Sequence, residues 1–287
     1  MSDTMVEVRG RKVALIESGQ GEPLVYLHGF ADVHGVAADF QPFHLRLGTA
    51  ARVIAPAHPG CAQSDELAEG YGIEDVIFHY LEVFDALGLT SFDLVGHCVG
   101  GWIAAELAVR YPERVRRLGL IGACGLFVPG APIGDIFLHS QPERGVQLTS
   151  LRKLLFYTEN APAGLRFYAS ARGDLEEEMR RYQMLRFGSF MGFKPPYFYH
   201  RELRERLYRA SMPSLVIWGE HDRMVLPAHG AAYGDGMSGA TGLEVIGGAG
   251  HAVHLEQADR VADLIAEFHD QYPNEHAGTP FKETAQA

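Results

Sequence analysis

Basic residues are in short supply in this chain. Its 25 Lys and Arg stand against 36 Asp and Glu, a formal net charge of −11. Gripping phosphates takes clustered Lys and Arg on a net basic surface, so no nucleic-acid partner is expected. Cysteine is sparser still: Cys61, Cys98 and Cys124 form an odd set without CxxC spacing. Such a set suits neither a disulfide framework nor a zinc site and fits a reducing compartment. No apolar run reaches membrane-spanning length, and the opening MSDTMVEVRG is acidic and lacks the apolar centre of a secretory leader. The reading is a cytoplasmic protein with no membrane partner. The chain shows no internal repeat, metal-ligand cluster or phosphate-cradling glycine loop, so neither a metal nor a cofactor is expected. What it has is bulk: 47% hydrophobic residues over 287 positions, enough for a sizeable core in one large α/β domain or a domain with an insertion.

The most informative stretch is Gly96-His97-Cys98-Val99-Gly100, which closes a strand-like run, SFDLV, and opens a helix-like run, GWIAAELAVRY. This is G-x-S-x-G with a thiol in place of the hydroxyl, the spelling of a nucleophile elbow that lifts its central side chain into a cleft. Cys98 is therefore the candidate nucleophile. The flanking glycines suit a tight turn where strand and helix approach too closely for a Cβ.

Short apolar runs alternate with helical patterns through the first half: KVALIES, PLVYLHG, ARVIAPA, a helix from Ile73 to Leu87, FDLVG, the helix after the elbow, then VRRLGLIGA. That rhythm predicts βαβ units and a mostly parallel, doubly wound central sheet. From about Gly125 the rhythm gives way to aromatic, arginine-rich helical segments, and it resumes with SLVIWGEHD and GLEVIGGAG before a last helix from about Gln257 to Tyr272. The expected organisation is a core of residues 1–124 and 211–273, a helical cap over 125–210 inserted between strands, and a flexible tail over 274–287. The cap arginines Arg166, Arg172, Arg180, Arg181 and Arg186 suggest an anionic substrate. Glu176, Glu177 and Glu178 nevertheless offer Arg180 and Arg181 partners about one helical turn away, and a solvated helix face is the favoured reading. The many cap aromatics are expected to pack on the core, with some walling an apolar pocket.

Two further groups complete the candidate site. Asp222 follows SLVIWG, just beyond the carboxyl end of a buried strand, where open α/β sheets gather functional groups. It is the candidate orienting acid, with a helix cap as the alternative. His251 ends the glycine-rich loop GGAGH ahead of the last helix and is the candidate general base. His97, His221 and His254 compete for that role: His254 suits the start of the last helix or packing, and His97, flanking the nucleophile, suits the pocket wall. Cys124 reads as core or pocket wall and Cys61 as a loop thiol.

With LHGF, HPGCAQSD, GHCVGG, WGEHD and GGAGHAVHLEQ in matching places over nearly its whole length, the chain resembles the α/β-hydrolase fold superfamily, whose triads run nucleophile, acid, histidine. The resemblance implies an oxyanion loop at His28-Gly29-Phe30, with the Phe30 and Val99 N–H groups aimed at the oxyanion. Two positions depart from the pattern. Ala57 stands where many relatives have Asp, which is expected to alter loop packing, and most relatives carry serine where this chain has Cys98. A thiol beside histidine at a helix N-terminus has a depressed pKa. Cysteine versions resemble dienelactone hydrolase-like and some acyl-transfer enzymes of the fold; engineered replacement of a catalytic serine is the other source of such a residue.

The expected function is hydrolysis of a small to medium, largely apolar ester, lactone or thioester through an acyl group on Cys98. The alternatives are an acyltransferase or cyclase using the same thioester, carbon–carbon bond hydrolysis of a diketone, and a ligand receptor that has lost turnover. The partner is a small-molecule substrate, and the chain is either a monomer or a homodimer.

Overall fold

A computed structural model describes residues 2–32, 42–143, 147–168, 175–193 and 195–273. Its strands are β1 (Ser2–Val8), β2 (Arg11–Ser18), β3 (Pro23–Leu27), β4 (Arg52–Pro56), β5 (Phe92–His97), β6 (Val115–Ile121), β7 (Ser214–Gly219) and β8 (Ala240–Ile246). They form one sheet in the order β1-β2-β4-β3-β5-β6-β7-β8. The first two pairings, β1 with β2 and β2 with β4, are antiparallel, and the rest are parallel. The expected mostly parallel sheet is therefore present. All six residues of β5 and of β7 are buried, as central parallel strands covered on both faces must be.

The helices among the described residues are α1 (Pro42–Leu47), α2 (Ile73–Ala86), α3 (Val99–Arg110), α4 (Ile136–His139), α5 (Thr149–Leu155), α6 (Pro162–Phe167), α7 (Leu175–Gly192), α8 (Leu203–Arg206), α9 (Pro227–Gly236), α10 (Val253–Glu256) and α11 (Ala258–Gln271). In α2, Val76, Ile77, Tyr80, Val83 and Phe84 are buried, a helical stripe that demands a surface to lie on. That surface is one face of the sheet, shared with α3, while α1 and α11 bury Phe43, Leu47, Val261, Ile265 and Phe268 on the other. Successive residues of β3 serve the two faces alternately: Val25 and Leu27 join the first cluster, Leu24 and Tyr26 the second. That is the two-residue period of a strand.

Two features were not expected. The opening segment forms an edge strand, β1, turned back onto β2 through Arg9 and Gly10, both at positive φ, as a tight two-residue hairpin requires. Among its described side chains only Val6 and Val8 have a packing role, a weak strand signal. Cys61, expected as a loop thiol, is wholly buried with its Sγ 3.5 Å from Met184 Sδ of α7.

The chain between β6 and β7 carries α4 to α8. Phe187 and Met191 of α7 are buried in the same cluster as the core helices, and Phe198 meets Phe30 edge to face at 5.5 Å. Arg180 pairs with Glu176 within α7, while Arg172 and the tail 274–287 lie outside the described residues. Among the described residues no helix is long and apolar enough to cross a membrane.

Candidate active site

Cys98 sits between β5 and α3 with φ 54° and ψ −118°. A non-glycine residue in that region is strained by on the order of 1–3 kcal/mol and persists only where its surroundings enforce it. The enforcement is visible in the glycines. A Cβ on Gly96 would stand 2.4 Å from the Gly100 carbonyl oxygen, and one on Gly100 would stand 2.1 Å from that of Leu27. Strand and helix close on each other with no room for a side chain, and the tight turn between them holds Cys98, itself wholly buried, in its strained conformation. The Cys98 carbonyl accepts from the Trp102 and Cys124 N–H groups, each at 3.1 Å, which fixes the elbow to its own helix and to the end of β6.

Asp222 and His251 come from the loops after β7 and β8. Asp222 Oδ1 accepts from the Met224 and Val225 N–H groups at 2.9 and 2.8 Å, and its Oδ2 lies 2.8 Å from His251 Nδ1. Asp222 does not cap a helix, since α9 begins only at Pro227 after Leu226; one of its oxygens holds the loop that follows and the other faces His251. His251 is wholly buried, and its Nε2 has no hydrogen-bond partner among the described residues.

Charge ties this imidazole to the thiol. Burial alone lowers the His251 pKa, but the Asp222 carboxylate and the Cys98 thiolate more than reverse it and raise the value to about 10. Burial likewise raises the Cys98 thiol; the S–H of Cys124 and the positive His251 outweigh it and hold Cys98 well below the ordinary thiol value. The positive end of α3 acts in the same direction. The favoured arrangement is a buried thiolate beside an imidazolium.

The loop after β3 lies against this pair: a Cβ on Gly29 would fall 2.7 Å from Cys98 Cβ. The Phe30 N–H and the Val99 N–H, the first of α3, have no protein acceptor among the described residues. Two features hold the loop. The Gly29 N–H donates to Asp32 Oδ1 at 2.8 Å, and the Tyr168 hydroxyl donates to the Phe30 carbonyl. The His28 ring lies against that of His58, tilted by 38° at 3.8 Å between centroids, and the His58 backbone N–H donates to His28 Nε2 at 3.1 Å. The segment after Ala57 therefore braces the loop through a histidine.

Asp32 was not foreseen. It is wholly buried and receives the Tyr26 hydroxyl, the Gly29 N–H and His254 Nε2 at 2.9 Å, with His44 Nε2 at 3.5 Å and His97 Nδ1 at 3.8 Å. Burial opposes its charge, yet the hydrogen bonds and charges of these histidines hold Asp32 well below the ordinary carboxylate value. His97 Nε2 lies 3.1 Å from the His251 carbonyl. That oxygen can only accept, so Nε2 carries the proton, and His97 braces the backbone of the base. His254, in α10, joins the same hub. Asp32, His97 and His254 present ligand atoms within 4.8 Å of one another, close enough to hold a metal ion. The three donors already on the carboxylate make a hydrogen-bonded hub the simpler account.

Cys124 is buried in the core, one of its two expected places, with its Sγ 3.7 Å from Cys98 Sγ. Burial and the neighbouring Cys98 charge push its own thiol well above the usual value. No sequence spacing announces this pair.

Residues 22–258 match the family described as alpha/beta hydrolase fold. The chain is 31% identical over 266 residues to a 2-hydroxymuconate semialdehyde hydrolase of Pseudomonas sp. (strain CF600), with 90% of each chain covered. It is 28% identical over 284 residues to a 2-hydroxy-6-oxo-2,4-heptadienoate hydrolase of Pseudomonas putida, covering 92% of this chain and 95% of the other. In shape it is similar to the solved structure of a meta-cleavage product hydrolase from Pseudomonas fluorescens IP01. There the TM-score is 0.75 at 23% identity, with 93% of this chain and 97% of that one covered; at that identity the likeness is one of fold.

Proposed function

This chain belongs to the alpha/beta hydrolase fold family, and from that membership we propose that it hydrolyses a carbon–carbon bond in a small 2-hydroxy-6-oxo-2,4-dienoate, with Cys98 as nucleophile. The observation that carries the mechanism is the buried Asp222–His251 pair at 2.8 Å, whose free Nε2 belongs to the imidazole that titrates with Cys98. The substrate class rests on the two curated relatives, whose substrates share that dienoate skeleton.

The skeleton explains why one site can cut a carbon–carbon bond with ester chemistry. Moving the enol proton of C2 to C5 gives a vinylogous diketone. The Cys98 thiolate adds to C6, and the oxyanion is received by the Phe30 and Val99 amides. One aimed donor in such a site contributes roughly 3–4 kcal/mol. Collapse breaks C5–C6, and the electron pair leaves as a dienolate that the C1–C2 end delocalises. His251 gives up its proton to the leaving carbon and then takes one from water as water attacks the thioester, releasing a carboxylic acid. Asp222 holds Nδ1 as the donor, so that Nε2 faces the reaction throughout. An ester or thioester would pass through the same steps with oxygen or sulfur leaving.

Purified protein mixed with 2-hydroxy-6-oxo-2,4-heptadienoate should bleach the absorbance of that substrate and release acetate, and Cys98→Ala should do neither. Turnover of simple aryl esters, with the dienoate left intact, would reject the carbon–carbon reading in favour of ester hydrolysis.

A further inference from the structure

We propose that Cys98 and Cys124 form a hydroperoxide-responsive dithiol, in which Cys98 is oxidised to a sulfenic acid and Cys124 closes on it as an intramolecular disulfide. The inference rests on the placement of the two sulfurs, with their charges in support; only its consequence, loss of turnover, rests on reading Cys98 as the nucleophile.

The two sulfurs are 3.7 Å apart and both buried. Bond formation needs them to approach by about 1.7 Å, to the disulfide length. The backbones are already joined, since the Cys124 N–H donates to the Cys98 carbonyl at 3.1 Å. That bond holds the two residues side by side just beyond the ends of β5 and β6, and the remaining approach falls to their side chains. Cys61 is the internal control: it is equally buried, but its sulfur faces Met184.

The two thiols have complementary roles. Cys98, held as a thiolate, is the form that attacks peroxide oxygen. Cys124 stays protonated beside it, partly because of the Cys98 charge. In the first step the Cys98 sulfur bonds to the terminal oxygen of a hydroperoxide, the O–O bond breaks, and the alkoxide leaves as an alcohol after taking the His251 proton. Cys98 is now neutral, so the charge that kept Cys124 protonated is gone. The Cys124 sulfur then attacks the Cys98 sulfur, and its proton passes through His251 to the departing hydroxide, which leaves as water. Two thiols and one hydroperoxide become one disulfide, one alcohol and one water, and the peroxide has taken two electrons. A dithiol reductant reverses the change.

The test treats the full chain with hydrogen peroxide and reads intact mass, free thiols in denaturant and the peptide map. The expected product has lost two hydrogen atoms, joins Cys98 to Cys124, keeps Cys61 free, and regains all three thiols with dithiothreitol. Cys124→Ser should stop at a sulfenic acid on Cys98 that dimedone traps, and Cys61→Ser should behave as the unaltered protein does. The wild-type mass and map decide the matter even if Cys124→Ser misfolds. A product with oxygen added to Cys98 and Cys124 still free would overturn the proposal, as would a disulfide to Cys61 or between chains. Disulfide formation in a protein inactive on dienoates and esters would leave this inference standing and remove the functional one.

Discussion

Replacing Asp222 by Asn perturbs the site where its electrostatics are steepest. The amide has the carboxylate's size, and its oxygen can still accept from Met224 and Val225, which lie 2.9 and 2.8 Å from Oδ1. What changes is the atom facing His251 Nδ1 at 2.8 Å: an acceptor becomes an NH₂ donor. The ring must then offer Nδ1 a lone pair and carry its proton on Nε2, the wrong tautomer for taking a proton from thiol or water. It also loses its counter-charge. Against the pull of burial, Asp222 and then Cys98 raise the His251 pKa from 6.5 to about 10, so the value falls when the carboxylate goes. At 1.36 kcal/mol per unit the whole shift is about 5 kcal/mol, of which the Asp222 share is lost. With the tautomer error added, kcat/KM should fall by on the order of 10³ to 10⁴. Turnover is measured beside the ultraviolet thiolate band as a function of pH, with thermal unfolding as the check on folding. A variant within tenfold of the wild type, with its thiolate titrating unchanged, would refute the charge-coupled triad.

Three other perturbations probe the surroundings. The first is pH. An unfolded chain titrates its His near 6.5 and its Cys near 9.0, whereas the folded pair holds His251 up to about 10 and Cys98 well down. Below about pH 6.5 the unfolded state binds one more proton than the folded state, so stability rises with pH; above about pH 9 the folded state binds more, so stability falls; between them the counts match. Subtracting the curve for Cys98→Ser should show that plateau, and a steady slope across it would contradict the pair. Asp32→Ala strands the Tyr26, Gly29 and His254 donors in a dry interior, which should cost about 3–5 kcal/mol, read as a drop in Tm; a change under 1 kcal/mol would dismiss the hub. Tyr168→Phe removes the hydrogen bond to the Phe30 carbonyl, worth about 1 kcal/mol, and should lower kcat with little change in KM; an effect on KM alone would make Tyr168 a substrate contact instead.

The sheet was legible because its buried strands are short, uniformly apolar and separated by helical periods, and because Cys98, Asp222 and His251 follow the ends of β5, β7 and β8 within five residues. The hub was not. Asp32, His44, His97 and His254 are scattered along the chain, and each taken singly passes for an ordinary loop or helix residue; only the fold brings their ring nitrogens to one carboxylate. The Cys98–Cys124 pair was hidden for a related reason. It follows from the parallel register that sets His97 opposite Ile121, so that both chains leave the sheet side by side, and registers are not written in composition. β1 escaped notice because an edge strand needs few apolar residues.

The most direct test is a rapid-quench reaction with 2-hydroxy-6-oxo-2,4-heptadienoate, followed by intact mass and peptide mapping. The account predicts a transient acetyl group on Cys98, formed as the dienolate is released and lost as acetate appears. Acetate produced without any adduct on Cys98, and at a similar rate by Cys98→Ala, would contradict it.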